Sequence, residues 1–279
     1  MVKLSILAPD MIRNILGKIR SFEFNDWPQC PTFIRESILE VLGKSIRDAG
    51  VYDALAPHFI QLYQDADVKN VLEFGAGSGE STAIFMDAVL QAGQAPPRIY
   101  ISDLYPMTTV MAQTCDRYPE LLHPVKESVD VCHPPETPPH DMRMVLSAFH
   151  HFDRATARRF LLDAQQKGLT IFIAEPFTEN LQAFLPLFLH GFISLARNGV
   201  LSPKSRFLKF VFTFLIPIIP LCLLWDGLIS MMRMYTKEDF MDITESFPPT
   251  APAYIWKHIQ VPIPLGGTGS LLIGQPPHL

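Results

Sequence analysis

The sequence is short of charge and lacks any cysteine pattern. Charged residues make up 18% of its 279 positions, and 23 basic against 28 acidic side chains leave a net charge of −5. An average soluble domain carries about 25% charge. No basic excess serves a phosphate backbone, so nucleic acid is not an expected partner. Cys30, Cys115, Cys132 and Cys222 form no CxxC pair and no metal-ligand spacing. Reduced thiols and a cytoplasmic location follow as expectations, with no metal site. The 25 prolines and 15 glycines show no period, so no repeat architecture is expected. Met1 to Ala8 is a short apolar run before Asp10 and Arg13, without the cleavage pattern of a signal peptide. No hydrophobic run reaches the ~20 residues of a membrane span. Residues 210–225 come nearest, sixteen without charge, and contain Pro217 and Pro220.

The chain is nonetheless 48% hydrophobic, which excludes disorder and demands a place for the apolar surplus. Ile34, Ile38, Leu39, Val41, Leu42 and Ile46 recur at helical spacing, and Ala54, Phe59, Leu62 and Tyr63 outline a second helix. Short apolar runs follow at 70–74, 98–102, 142–146 and 170–174, with helical stretches at 81–92 and 154–167. Strands alternating with helices imply βαβ units and a parallel sheet covered on both faces. A helix over 237–245 opens on Thr236 and Asp239 at capping-box spacing. Beyond it, runs at 254–261 and 270–274 are joined by PLGGTG, too short for anything but an antiparallel pair.

The string NVLEFGAGSGEST sets Gly75, Gly77 and Gly79 after a strand and before a helix, where side chains would collide with a ligand across the strand ends. The spacing is GxGxG, not the dinucleotide GxGxxG, and no P-loop lysine follows. Glu73 places a carboxylate under the loop, and Asp103, closing the second strand, suits two ribose hydroxyls. Such acids favour a cationic ligand over a pyrophosphate. Taken alone, the glycines also suit a plain turn, Asp103 a helix N-cap and Asp130 a surface acid.

With Ser128-Val129-Asp130 and the run Leu146-Ser147-Ala148-Phe149-His150-His151-Phe152, these residues resemble the class I S-adenosylmethionine-dependent methyltransferases. The resemblance is strong over 65–175 and topological over 236–275. Residues 22–35 and Trp225-Asp226-Gly227 with Ser230, Arg233 and Tyr235 are similar to a bacterial small-molecule group. It implies a Rossmann-like α/β fold whose seven-stranded, mostly parallel sheet ends in an antiparallel hairpin, and S-adenosyl-L-methionine as cofactor. Glu73, Gly75, Gly77 and Gly79 would then hold the methionine moiety, Asp103 the ribose, and Val129 and Asp130 the adenine, with Ala76, Leu104 and Ser147 also in the cofactor site. Ser147 stands where the family pattern carries Asn or Asp.

Methyl transfer to oxygen needs a positioned nucleophile and a base. His150 and His151 close the fourth strand and are candidate bases, one at most facing the substrate if they alternate. The rival reading makes FHHF a packing cluster. Glu175 would orient a histidine or accept a substrate hydroxyl. Asp226 and Arg233 suit a buried ion pair or acceptor contacts. Phe22, Phe24 and Trp27 suit either a water-excluding lid or a docking anchor. The expected organisation is a helical lid at 1–65, a cofactor-binding core at 66–178 and 236–279, and an apolar insertion at 179–235. That insertion contains an expected helix at 181–195 and the cations Arg197, Lys204, Arg206 and Lys209. Its two main readings are a cap over a hydrophobic small-molecule acceptor and a peripheral membrane contact through 197–225.

Overall fold

The computed structural model describes residues 22–27, 29–106, 108–132, 136–178, 206–264 and 267–277, with 186, 189, 190 and 193. The stretch expected to be helical at 181–195 falls largely outside them, as do Arg197, Lys204 and residues 1–21. Helices α1 (Thr32–Asp48) and α2 (Val51–Asp65) precede the sheet. The chain then runs β1 (Asn70–Glu73), α3 (Glu80–Gln91), β2 (Arg98–Ile101), α4 (Thr108–Cys115) and β3 (Leu122–Pro124). Strand β4 (Met142–Leu146), α5 (Arg154–Gln166) and β5 (Thr170–Glu175) follow. Two apolar helices, α6 (Arg206–Phe210) and α7 (Ile218–Arg233), lead to α8 (Lys237–Glu245), β6 (Ile255–Ile263) and β7 (Gly267–Gln275).

The strand order is β3-β2-β1-β4-β5-β7-β6. Pairing is parallel from β3 to β5, while β7 runs antiparallel to both β5 and β6. Strand β3 was not foreseen: three residues ending in proline carry no period, and its place at the sheet edge tolerates the missing donor. On one face, Tyr52, Leu55 and Phe59 of α2 and Phe85 of α3 pack on Val71, Met144 and Phe172. On the other, Phe160 and Leu161 of α5 and Phe240 of α8 pack on Leu72, Val145 and Ile173. Adjacent residues of β1, Val71 and Leu72, thus serve opposite cores, which is why buried parallel strands read as unbroken apolar runs. Helix α8 starts on the foreseen capping box, Thr236 Oγ1 accepting from Asp239 N–H and Asp239 from Thr236 N–H. All four cysteines are free thiols.

Strand β4 ends at Leu146, and Phe149–His151 form a 3-10 turn beyond it. The expected strand alternation of the two histidines therefore does not hold; their rings lie side by side, centroids 4.2 Å apart.

Candidate active site

Loop 75–79 and the turn after β4 face each other above the sheet and border a cavity of about 610 Å³. Gly75, Gly77 and Gly79 all have positive φ, +72°, +56° and +75°. A Cβ on Gly75 would lie 2.8 Å from that of Ala148, and one on Gly79 2.8 Å from Ile101 Cδ1. At Gly77 a Cβ would meet nothing nearer than Leu39 at 3.9 Å, so backbone conformation sets that glycine and leaves bare peptide toward the cavity.

Asp103 sits two residues past the end of β2, not within it. One carboxylate oxygen accepts from Gly77 N–H and the other from Tyr105 N–H, both at 2.8 Å. These bonds tie the loop to the second strand and fix the carboxylate on the cavity wall, with lone pairs to spare. Leu104, Val129 and Asp130 border the same end, and Val129 N–H donates to Asp103 C=O at 2.9 Å. Asp130 accepts from Cys132 N–H at 2.8 Å.

Glu73 is placed differently from these. It is fully buried beneath the loop, outside the cavity wall, and accepts from Thr82 Oγ1 in α3. Its second oxygen has no hydrogen-bond partner among the described residues. Burial, reinforced by the charge of Asp103 and opposed by the Thr82 bond, pushes its carboxyl up to about 8. Ser147 lies on the wall at φ +55°, a left-handed conformation uncommon for a residue with a Cβ. It is held by its N–H to Ala174 C=O at 2.9 Å and by its Oγ to the Tyr52 hydroxyl at 2.6 Å. Tyr52 went unforeseen because α2 carries no motif, only helical spacing.

At the other end of the cavity stand His150 and His151. Glu175, closing β5, grips His150 twice: one oxygen accepts the backbone N–H and the other meets Nδ1, both at 3.1 Å. Both residues are buried. With Nδ1–H given to a carboxylate, Nε2 carries the lone pair. His151 instead meets Asp26 Oδ2 through Nδ1 at 2.9 Å, with Glu23 Oε2 3.7 Å from its Nε2. Burial lowers its affinity for a proton, but the Asp26 bond and the charges of Glu23 and Asp26 outweigh that and raise its pKa to about 9. His151 is a cation at neutral pH.

Glu23 and Asp26 come from the string Phe22–Trp27, in which acids alternate with the aromatics. The acids line the cavity and the aromatics do not. Phe24 packs against Cys30, Ile34 and Cys222, and Trp225 Nε1 donates to Phe22 C=O at 2.8 Å. Phe24 is thus the anchor and the acids the facing surface. The expected Asp226–Arg233 pair does not form. Asp226 accepts Phe24 N–H at 2.7 Å and Asn25 N–H at 3.1 Å, while Arg233 reaches Glu23 at 3.1 Å and Asp26 at 3.4 Å. Backbone amides compete for Asp226 because the turn before α1 docks directly on α7. Ligating atoms of Glu23, His150 and His151 lie within 4.8 Å of one another, a grouping invisible in sequence across 127 positions; Arg233 already places a cation there.

Comparison with solved structures bears on the frame around this site. A candidate O-methyltransferase of Nostoc punctiforme superposes over 94% of the chain at a TM-score of 0.51 and 14% identity, covering 66% of its own length. The fold is that of the class I methyltransferases. The pyocyanin biosynthetic protein PhzM matches over 74% of the chain (17% identity, TM-score 0.43, 50% of its length). PigF, solved with SAH, matches over 78% (14%, 0.44, 53% of its length). The chain thus spans half to two thirds of these proteins. No protein-family model and no curated protein matches its sequence.

Proposed function

We propose that the chain transfers a methyl group from S-adenosyl-L-methionine to an oxygen of a hydrophobic small molecule. The observation that carries this reading is one continuous cavity. It joins the Asp103–Asp130 end, rich in acceptors for ribose hydroxyls and an adenine amine, to the His150–Glu175 end, built for taking a proton. Its charge adds support. Among the described residues, seven carboxylates border it (Glu23, Asp26, Glu80, Asp103, Asp130, Asp153 and Asp226) against one arginine, Arg35, besides the two histidines. A pyrophosphate would be repelled from such walls, whereas a sulfonium nucleoside fits them.

The cofactor supplies an already activated methyl group, so the chain's task is placement and proton removal. Bare backbone at Gly77 and the tethered Asp103 bind and orient. Leu223 and Phe177 give the acceptor an apolar enclosure. His150 Nε2 takes the hydroxyl proton as the oxygen attacks, with Glu175 holding the ring and balancing the imidazolium. His151, already protonated through Asp26 and Glu23, is a positioning cation, not a base.

Labelled methyl transfer from S-adenosylmethionine to a panel of apolar phenols, read in the organic phase, tests this. His150→Ala should lower kcat at least ~100-fold while leaving S-adenosylhomocysteine affinity within about twofold, since it touches no cofactor group. Full turnover by the variant, or no transfer to any acceptor, would overturn the proposal.

A further inference from the structure

The cavity accounts for the inner face of α7; its outer face is unexplained. Leu223, Asp226, Gly227 and Ser230 look inward, while Leu221 and Trp225 are 60% and 39% exposed. Eight of the eighteen large apolar side chains exposed among the described residues fall between 207 and 225. The most exposed are Phe207 at 77% and Leu215 at 67%. Isolated exposed apolar residues need no account, but a cluster of this density marks a contact surface.

Its shape and chemistry select the partner. Arg206–Leu215 and Ile218–Arg233 meet at 76°, and neither helix is long and apolar enough to cross a membrane. The elbow between them exposes Phe214, Leu215 and Ile216. Ile216 N–H is bonded to Val211 C=O at 2.9 Å, Ile218 N–H to Ile216 C=O at 2.6 Å, and Pro217 has no N–H at all. Residues 216–218 at the tip therefore leave no N–H unpaired, which removes the donor part of the cost of bringing backbone against hydrocarbon. Trp225, with its indole N–H bonded to Phe22, stands with exposed Phe22 and Trp27 at the base, where amphipathic rings suit a headgroup layer.

Charge then fixes the kind of surface. In a chain of net charge −5, residues 181–225 contain four cations and not one acid, and residues 1–21 contain Lys3, Arg13, Lys18 and Arg20 against a single Asp10. One expected headgroup contact is corrected: Lys209 is buried against Glu40 at 2.9 Å, which leaves its stretch of the wedge wholly apolar. We infer that the α6–α7 elbow docks on a lipid bilayer bearing anionic headgroups, with Leu215 and Phe207 entering the acyl boundary. The docking does not depend on which molecule the cavity accepts.

The test is co-sedimentation of the full chain with phosphatidylcholine vesicles, with and without phosphatidylserine, alongside light scattering for mass. The wild type should pellet with the anionic vesicles, and the double variant Phe207→Glu/Leu215→Glu should partition about tenfold less or weaker still. Both positions are exposed, so the variant should keep the wild-type circular dichroism and S-adenosylhomocysteine affinity. A wild type that stays in the supernatant, or a variant that pellets equally, overturns the inference. So does a dimer mass that Leu215→Glu halves in the absence of vesicle binding, which would make a second copy the occupant. Failure here leaves the methyl-transfer reading intact, because that is read in solution.

Discussion

Two neighbouring imidazoles meet different carboxylates, and that contrast divides their work. His150 is gripped by Glu175 alone through backbone and ring, whereas His151 lies between Asp26 and Glu23. Glu73 poses the same question for an acid. With its pKa raised to about 8, the folded chain keeps a proton that the unfolded chain releases near the ordinary carboxylate value. Stability therefore falls as pH rises from about 4.5 to about 8. Glu73→Gln removes that slope. Urea midpoints at pH 5 and pH 8 should show the variant gaining on the wild type with rising pH; parallel midpoints would contradict a buried, proton-holding Glu73. His151 has the same sign in a higher window. Its contribution is complete below about 6.5 and lost as pH passes about 9, so the wild-type-minus-variant difference isolates Glu73.

At the scale of elements, the turn 22–27 and helix α7 form one unit that closes the acceptor end. Asp226, buried and with its pKa lifted to about 7 by burial and by Glu23 and Asp26 despite two amide donors, is the joint between them. Asp226→Ala leaves the Phe24 and Asn25 amides without acceptors and should cost about 1–3 kcal/mol, with the turn becoming the first site of proteolysis. Asp226→Asn retains one acceptor oxygen and should cost less. Thermal melts and cleavage mapping check both, and an alanine variant as stable and protease-resistant as wild type would sink the joint. The connection after β4 is the other element that matters. Its 3-10 turn leaves the two adjacent rings with centroids 4.2 Å apart, where a strand would send them to opposite faces.

Across the whole molecule, what the sequence made legible was what repeats or what bends. Strands β1, β4 and β5, helix α8 and the terminal hairpin were readable because apolar runs, a capping box and a short loop are local signals. The glycine loop itself was readable, but not its reason: positive φ holds at all three positions, and a Cβ at Gly75 or Gly79 would meet Ala148 or Ile101, where a clash with a ligand was expected. At the other end of the cavity Glu175 was readable as a carboxylate able to orient a histidine, whereas Glu23, Asp26 and Tyr52 were not, since they reach their partners across 95 positions or more and carry no motif of their own. Aromatic neighbours drew attention away from the acids in Phe22–Trp27, and only docking on α7 decides which of them faces inward. The apolar surplus of the insertion is plain in the sequence, but its exposure at 207–225 is a tertiary fact.

The account stands on the cavity being a sulfonium-nucleoside site with Asp103 at its centre. Titration calorimetry with S-adenosylhomocysteine measures this directly. Wild type should bind one equivalent with micromolar affinity, and Asp103→Ala, which loses both the ribose acceptor and the tether to Gly77, should bind at least ~10-fold more weakly. No heat at high micromolar ligand, or equal affinity in the two proteins, would contradict it.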